Sequence, residues 1–391
     1  MFKANLQCAC LSLLVGLFAD RAGAAGMTAE RLSPRGDGRM TVRDYANARA
    51  MPLPGADARS GMAVPSARRA AGNLNPGSST GSAGDGKTVP EVIVPRHRLQ
   101  VSQRNDAEGG IEPQAFGHAG QPFTTSRVDL RGNPVSRFHP YSETGRLFVK
   151  VAGQTLYCSA ALIKRGLVVT AAHCVAKFGR GQAFDTIRFV PAYLRGVAPF
   201  GTWRAKQVLV PKAYLDGSDA CVAHSPGVIC ESDMAVITLT AKPGSLCTDD
   251  YAGDHAGWYR IGWDGYGFTD ENQALISQFG YPLSHDDGQM MQRTDSQGYI
   301  NFLLADNTVI GSRQTNGASG GPLLVNFGRV AVLSGTTRGA DAAPNTVVGV
   351  TSWGYTDRTL KQMGASPFLS TNIKLLVDAA CAATPAACGS C

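Results

Sequence analysis

Charge is scarce in this 391-residue chain, where Asp, Glu, Lys and Arg together make up only 17%. The formal net charge is +7, yet the basic residues are scattered and no Lys/Arg run is interleaved with aromatics. A nucleic-acid partner is therefore not expected, because such binders concentrate basic residues on one face. Long apolar runs are also missing. The best candidate, residues 6–18, is shorter than the roughly 20 residues a membrane helix needs, so no membrane span is expected. Zinc-type spacing is absent as well: Cys388 and Cys391 form a CxxC that stands alone without histidine neighbours. No metal or other cofactor is expected, and the lack of heptads or large repeats makes a monomer the default.

The N-terminus carries a different kind of information. Lys3, the apolar 6–18 stretch and the small residues Ala22-Gly23-Ala24 read as an export signal over residues 1–24. Residues 25–120 are rich in Gly, Ala, Pro, Ser and Arg and read as a low-complexity, largely disordered prosegment. Within it, Gly72 to Lys87 has the composition of a flexible linker, and Val89 to Val94 is the one ordered-looking, extended piece. Cys8 and Cys10 leave with the signal. Eight cysteines then remain: Cys158, Cys174, Cys221, Cys230, Cys247, Cys381, Cys388 and Cys391. An even number in an exported chain predicts disulfides and a secreted product, extracellular or periplasmic.

Near Gln121 the character changes. Short apolar runs alternate with turn signals at Leu147–Val151, Ser159–Ile163, Leu167–Thr170, Ile187–Val190, Gln207–Val210 and Met234–Leu239. They continue at Ile276–Phe279, Tyr299–Leu304, Gly321–Val325, Val330–Ser334 and Val347–Ser352. Strands this closely spaced, with no helices between them, indicate an all-β sandwich or barrel. One helix is expected near the end, with Ser370 or Thr371 as N-cap and Ile373, Leu376, Val377 and Ala380 on one face.

Three segments carry chemistry. Hydrolysis of a peptide by serine needs an activated hydroxyl, a base, and donors for the oxyanion. Thr170-Ala171-Ala172-His173-Cys174 places a histidine at the end of an apolar strand, and a Cys158–Cys174 disulfide would pin its loop. Asn316-Gly317-Ala318-Ser319-Gly320-Gly321-Pro322 sets a serine in a glycine-rich turn, with the amides of Gly317 and Ser319 as oxyanion donors. A carboxylate must hold the histidine's tautomer, and Asp233, directly before the alternating Met234–Leu239 strand, fits best. Asp216 and Asp219 are rivals in a polar turn. Cys221 and Cys230 bracket the loop before Asp233 and are placed to staple it. Cys247 is expected to pair with Cys381, Cys388 or Cys391, leaving a further pair such as Cys388–Cys391.

These segments, with Gly349-Val350-Thr351-Ser352-Trp353-Gly354, resemble in order the signatures of chymotrypsin-like serine proteases. His139-Pro140-Tyr141 and Gly280-Tyr281-Pro282 resemble the bacterial V8-like branch, which includes glutamyl endopeptidases. The resemblance covers roughly Arg127 to Leu376. It implies two Greek-key, six-stranded β-barrels: residues 121–245 carrying His173 and Asp233, and 246–370 carrying Ser319. Residues 371–391 would then form the C-terminal helix and a Cys-containing tail. It further implies a catalytic triad in the intervening cleft and Ser352-Trp353-Gly354 as the strand that pairs with protein or peptide substrates.

Three departures modify that picture. Ala318 stands where trypsin-type enzymes carry an aspartate that pairs with a new N-terminal ammonium, so activation would consist of prosegment removal. Thr351 replaces the histidine of the glutamate-specific branch. Arg313 occupies the position of the trypsin-type pocket acid, which removes the basis for Lys/Arg preference and would suit an acidic side chain. Two other readings compete: an inactive binding or adhesion protein on the same fold, and an α/β-hydrolase esterase. The esterase is disfavoured by the His, Asp, Ser order and by the lack of alternating helices.

Overall fold

The computed structural model describes residues 27–36, 39–57, 75–99, 115–116, 121–130, 134–223, 225–242, 249–328, 343–357, 359–382 and 391. The export signal, Cys247, Cys388 and the Val330–Ser334 strand lie outside these residues.

Short elements come first in the chain: β1 (Ala29–Leu32), helix α1 (Val42–Ala46), β2 (Arg49–Ala50), β3 (Gly55–Ala56), β4 (Gly77–Ser78), β5 (Glu91–Val92), β6 (Ala115–Phe116) and β7 (Pro122–Arg127). The first barrel follows, built from β8 (Thr144–Val151), β9 (Gln154–Lys164), β10 (Leu167–Thr170), β11 (Thr186–Pro191), β13 (Trp203–Pro211) and β14 (Ala235–Leu239), with the two-residue β12 (Val197–Ala198) and the one-turn α2 (Lys212–Asp216) in its connections. After α3 (Ala252–Ala256) and β15 (Arg260–Trp263), the second barrel takes β16 (Gln273–Gly280), β17 (Gln292–Asn301), β18 (Asn307–Gly311), β19 (Pro322–Val325), β20 (Thr346–Val350), β21 (Trp353–Tyr355) and β22 (Gln362–Ala365). The chain then enters a helical segment whose α-helical part is α4 (Leu375–Cys381).

Both barrels close by the same route. In the first, β8, β9 and β10 form a meander, β11 returns beside β8, and β13 pairs with β11 and β14, while β14 closes onto β10. In the second, β16, β17 and β18 form the meander and β19 returns beside β16. β20 pairs with β19, and β21, its continuation beyond Thr351-Ser352, pairs with β22, which closes onto β18. A fourth strand returning beside the first is the Greek key. Closure removes free sheet edges, which is why short strands suffice. The alternation of Ile237 and its neighbours against Val168 and Leu162 fills the first interior; all three of these side chains are fully buried.

Two expectations need correction. Pro122–Arg127, assigned from the sequence to the first barrel, pairs with β17 of the second, from Arg127↔Gln292 to Phe123↔Ser296. The second is the flexible linker expected at Gly72–Lys87 within the prosegment, whose described part carries paired backbone. β1 pairs with β13, β2 with β9, β3 with β21, and Gly77–Ser78, inside the expected linker, pairs with β15. Backbone hydrogen bonds need no particular side chain, so composition does not reveal these pairings. Val89–Val94 does contain the extended β5, with Ile93 and Val94 buried beyond it.

The C-terminal helix buries Ile373, Leu376, Val377 and Ala380, as its periodicity requires. Its start differs from the expected Ser370 or Thr371 cap, because the Leu369 N–H donates to Asn372 Oδ1 at 2.7 Å. Disulfides join Cys158 to Cys174, Cys221 to Cys230 and Cys381 to Cys391. The last of these rules out the Cys388–Cys391 pairing. Because barrel closure depends on interior packing, Ile237→Ala should cost about 2–4 kcal/mol in urea unfolding. Leu275→Ala, at a strand position 73% exposed, should change stability by less than about 0.5 kcal/mol in the same measurement.

Candidate active site

The pairing of β10 with β14 sets the site. Thr170 lies opposite Ala235 in antiparallel register, so the chain leaving β10 runs beside the chain entering β14. His173 sits three residues beyond Thr170, in the short turn Ala172–Cys174, and Asp233 two residues before Ala235. The Cys158–Cys174 bridge, with a Cα–Cα distance of 6.2 Å, ties this turn to β9. The His173 backbone N–H donates to Asp233 Oδ1 at 2.9 Å, and ring Nδ1 lies 2.8 Å from Oδ2. A carboxylate gripping both the amide and the ring fixes the ring's orientation and leaves Nε2 as the other nitrogen.

The second barrel completes the environment of Asp233, which is fully buried. Ser352 Oγ donates to Oδ2, and the Asp233 N–H donates to Ser366 Oγ at 3.1 Å. Ser366 in turn donates to Cys230 O at 2.7 Å, so the Cys221–Cys230 loop is held against the second barrel just before the acid. The rival Asp219 plays another part: its Oδ2 accepts the N–H of Ser232, next to Asp233, at 3.0 Å. Asp216 is exposed and bonds locally to Ser218.

Ser319 is fully buried in a tight turn. Gly317 adopts φ of +88° and Gly320 φ of +77°, both in the left-handed region that side chains avoid. Space is restricted as well. A Cβ at Gly317 would stand 2.4 Å from the Tyr157 ring, and one at Gly320 would stand 2.0 Å from Thr170 Oγ1. Ser159, which the sequence marked only as part of a strand, clamps the turn from the first barrel. Its N–H donates to Ser319 O at 2.7 Å and its Oγ to Gly317 O at 2.8 Å. Neither Ser319 Oγ nor His173 Nε2 has a hydrogen-bond partner among the described residues.

Thr351 is buried and its Oγ1 accepts from Gln278 Nε2 at 2.9 Å, while Gln278 Oε1 accepts from Ser312 Oγ at 2.7 Å. Gln278 and Ser312 escaped sequence reasoning, because a buried amide has no local signal. Trp353 is fully buried with Nε1 on Asn307 Oδ1, and Gly354 follows it on β21. Arg313 is exposed between buried Ser312 and Gln314, and its carbonyl accepts from Ser284 Oγ at 3.4 Å. Met51 and Leu53 had no place in the expected site. The Met51 carbonyl accepts the Gly317 N–H at 3.1 Å, and the Leu53 N–H donates to Asn316 Oδ1 at 3.1 Å.

A trypsin family model matches residues 136–369, which span both barrels and every residue just described except Met51 and Leu53. The chain belongs to the trypsin family. A curated relative, the "Extracellular metalloprotease" of Bacillus subtilis (strain 168), is 26% identical over 160 residues. That stretch is 40% of this chain and 43% of the relative, so the chain spans under half of that relative's length. Among solved structures, this family member is similar to the protease Anisep of Arthrobacter nicotinovorans, with 23% identity and a TM-score of 0.43 over 59% of this chain and 91% of that one. It is also similar to a Glu endopeptidase, with 18% identity and a TM-score of 0.45 over 68% and 97% of the two chains.

Metal ligation does not fit the surroundings of His173 in this family member. Nδ1 is bonded to Asp233, and the ligand atoms clustered with the ring among the described residues are the sulfurs of the Cys158–Cys174 disulfide. Those sulfurs carry no thiolate charge.

Burial raises the Asp219 carboxyl from 3.8 to about 6, despite the Ser232 hydrogen bonds that oppose the shift. The folded state thus holds this proton more tightly than the unfolded chain. Its contribution to stability is fully present below pH 3.8 and is lost as pH rises through about 6. Relative to Asp219→Asn, the parent protein should therefore gain about 1 kcal/mol between pH 7 and pH 5, at 1.36 kcal/mol per pKa unit. Thermal unfolding of both proteins across that range checks the sign.

Proposed function

We propose that this trypsin-family protein is a secreted serine endopeptidase that hydrolyses peptide bonds through an acyl-enzyme on Ser319. The observation that carries the reading is the double grip of Asp233 on His173, beside a buried serine in a turn that only glycines can make. Ser319 Oγ attacks the scissile carbonyl carbon as His173 Nε2 takes its proton. Asp233 holds the Nδ1 proton in place and stabilises the imidazolium that forms. The N–H groups of Gly317 and Ser319 receive the oxyanion, a contribution worth about 10²–10³ in kcat per donor. His173 then passes its proton to the leaving amine, and water reverses the sequence to free Ser319.

Substrates are proteins or peptides that add a strand beside Ser352-Trp353-Gly354. Secretion is supported by the export-type N-terminus, by the disulfides and by the extracellular designation of the Bacillus relative.

A fluorophosphonate probe applied to the secreted, processed protein should label the parent and leave Ser319→Ala unlabelled. Asp233→Asn should lower kcat on a peptide substrate by about 10⁴-fold while leaving the fold intact by circular dichroism. A processed parent that takes no label would sink the proposal and leave a binding protein on a protease fold.

A further inference from the structure

The segment Arg49–Asp57 runs through the whole site. At its start, β2 pairs in parallel with β9, Arg49 with Leu156 and Ala50 with Tyr157, and the Met51 N–H donates to Tyr157 O at 2.8 Å. In the middle, Met51 O accepts the Gly317 N–H at 3.1 Å, so a peptide carbonyl already stands at the oxyanion donor. At its end, β3 pairs in parallel with β21. Gly354 N–H donates to Pro54 O at 3.1 Å and Thr356 N–H to Ala56 O at 3.0 Å. Ala56 is fully buried in an apolar cup of Ile229, Leu304, Val309 and Trp353. Helix α1 anchors the segment upstream, with Tyr45 edge-on to Phe148 at 4.9 Å and Asp44 paired to Lys150 at 2.9 Å.

The direction of this strap decides what it does. His173 must protonate the leaving amine, so the leaving half of a substrate lies on the His173 side of the oxyanion donor. That side is β9, because Tyr157 precedes Cys158 and the Cys158–Cys174 bridge joins β9 to the histidine turn. In a substrate, the leaving half follows the attacked carbonyl. In the strap, residues 49–50 on the β9 side precede the Met51 carbonyl, and residues 53–56 beyond it run along β21. The strap therefore runs opposite to a substrate, and the bond after its carbonyl, Met51–Pro52, points away from the proton donor. Pro52 and Pro54 also lack N–H groups and fix φ, which lowers the entropy lost in holding the strap extended.

We propose that residues 49–57 are a built-in, reverse-threaded inhibitor that keeps the chain latent while protecting the strap from cleavage. This rests on the serine-endopeptidase reading of the same site. Full burial of Ser319, and the absence of a Ser319–His173 hydrogen bond among the described residues, are what a covered site with a carbonyl at the oxyanion donor would give. Tethering makes the closure efficient. An intramolecular segment acts at about millimolar effective concentration, so an intrinsic Kd of about 10 µM would keep roughly 99% of sites shut.

The test uses the full chain. Ala56→Glu places a charge in the apolar cup. Gly55→Val is an independent disruption, because a Cβ at Gly55 would lie 2.5 Å from Thr356 Cγ2. Both variants should react with the fluorophosphonate probe at least tenfold faster than the intact parent. A fluorescein-labelled peptide of residues 48–57 should bind the Ala56→Glu, Ser319→Ala double variant by anisotropy, slow the labelling of both single variants, and be recovered uncut by mass spectrometry. Equal labelling rates in all three chains with no peptide binding, or cleavage of the peptide at Met51–Pro52, would overturn the strap. Peptide binding with no labelling of any chain would support the strap and remove the hydrolase reading instead.

Discussion

A carboxylate that is entirely cut off from water is stable as an anion only when donors surround it, and Asp233 draws its partners from both barrels. The first barrel supplies the amide and ring of His173, and the second supplies Ser352 Oγ and the Ser366 acceptor that fixes the Asp233 backbone. Neither barrel satisfies this residue alone. The arrangement of the two barrels is therefore coupled to the orientation of one imidazole. The same coupling recurs at Ser319, where Ser159 of the first barrel clamps the Gly317–Ser319 turn of the second. Interfaces built on such bonds are less tolerant of sliding than purely apolar ones, because each shift leaves a buried polar group unpaired.

Closure of each barrel creates the next constraint. Once interior strands have their partners, the remaining backbone donors and acceptors lie where pairing stops: at β21, at the start of β9 and beside β13. Three of the described N-terminal strands pair at these places, β3 on β21, β2 on β9 and β1 on β13. Two of them, β2 and β3, flank Met51, whose carbonyl accepts the Gly317 N–H. Occupying those edges with the chain's own backbone blocks the strand-addition surface that a substrate would use. The chemistry of the edge does not distinguish substrate from inhibitor; chain direction and the position of the proline do.

Much of the site was legible because it depends on side chains with few substitutes. An imidazole after an apolar strand, a serine among glycines and an acid before an alternating strand each announce a role locally, and the order of the three fits one topology. The strands of the first barrel were readable for the same reason, since β10 and β14 alternate or run apolar throughout. Asn307–Gly311 and Gln362–Ala365 were not, because their burial comes from barrel closure and their sequences hold Asn, Thr, Gln and Gly. Gln278, Ser312 and Ser366 were invisible on similar grounds: each is an ordinary polar residue until the fold buries it beside a partner.

The strap was the least legible part, and its physics explains why. Met51-Pro52-Leu53-Pro54-Gly55-Ala56 is held mainly through carbonyl oxygens and amides, which every sequence possesses. What the side chains contribute is negative. Prolines remove donors, Gly55 avoids Thr356, and Ala56 is small enough for its cup. Such residues match the composition of a spacer, so a segment that pairs with both barrels reads as low complexity. An inhibitor of this kind needs little specific side-chain contact, since tethering supplies the concentration that affinity would otherwise have to provide. It follows that losing either anchor, the α1 contact upstream or the β21 pairing downstream, should open the site without any change in His173, Asp233 or Ser319.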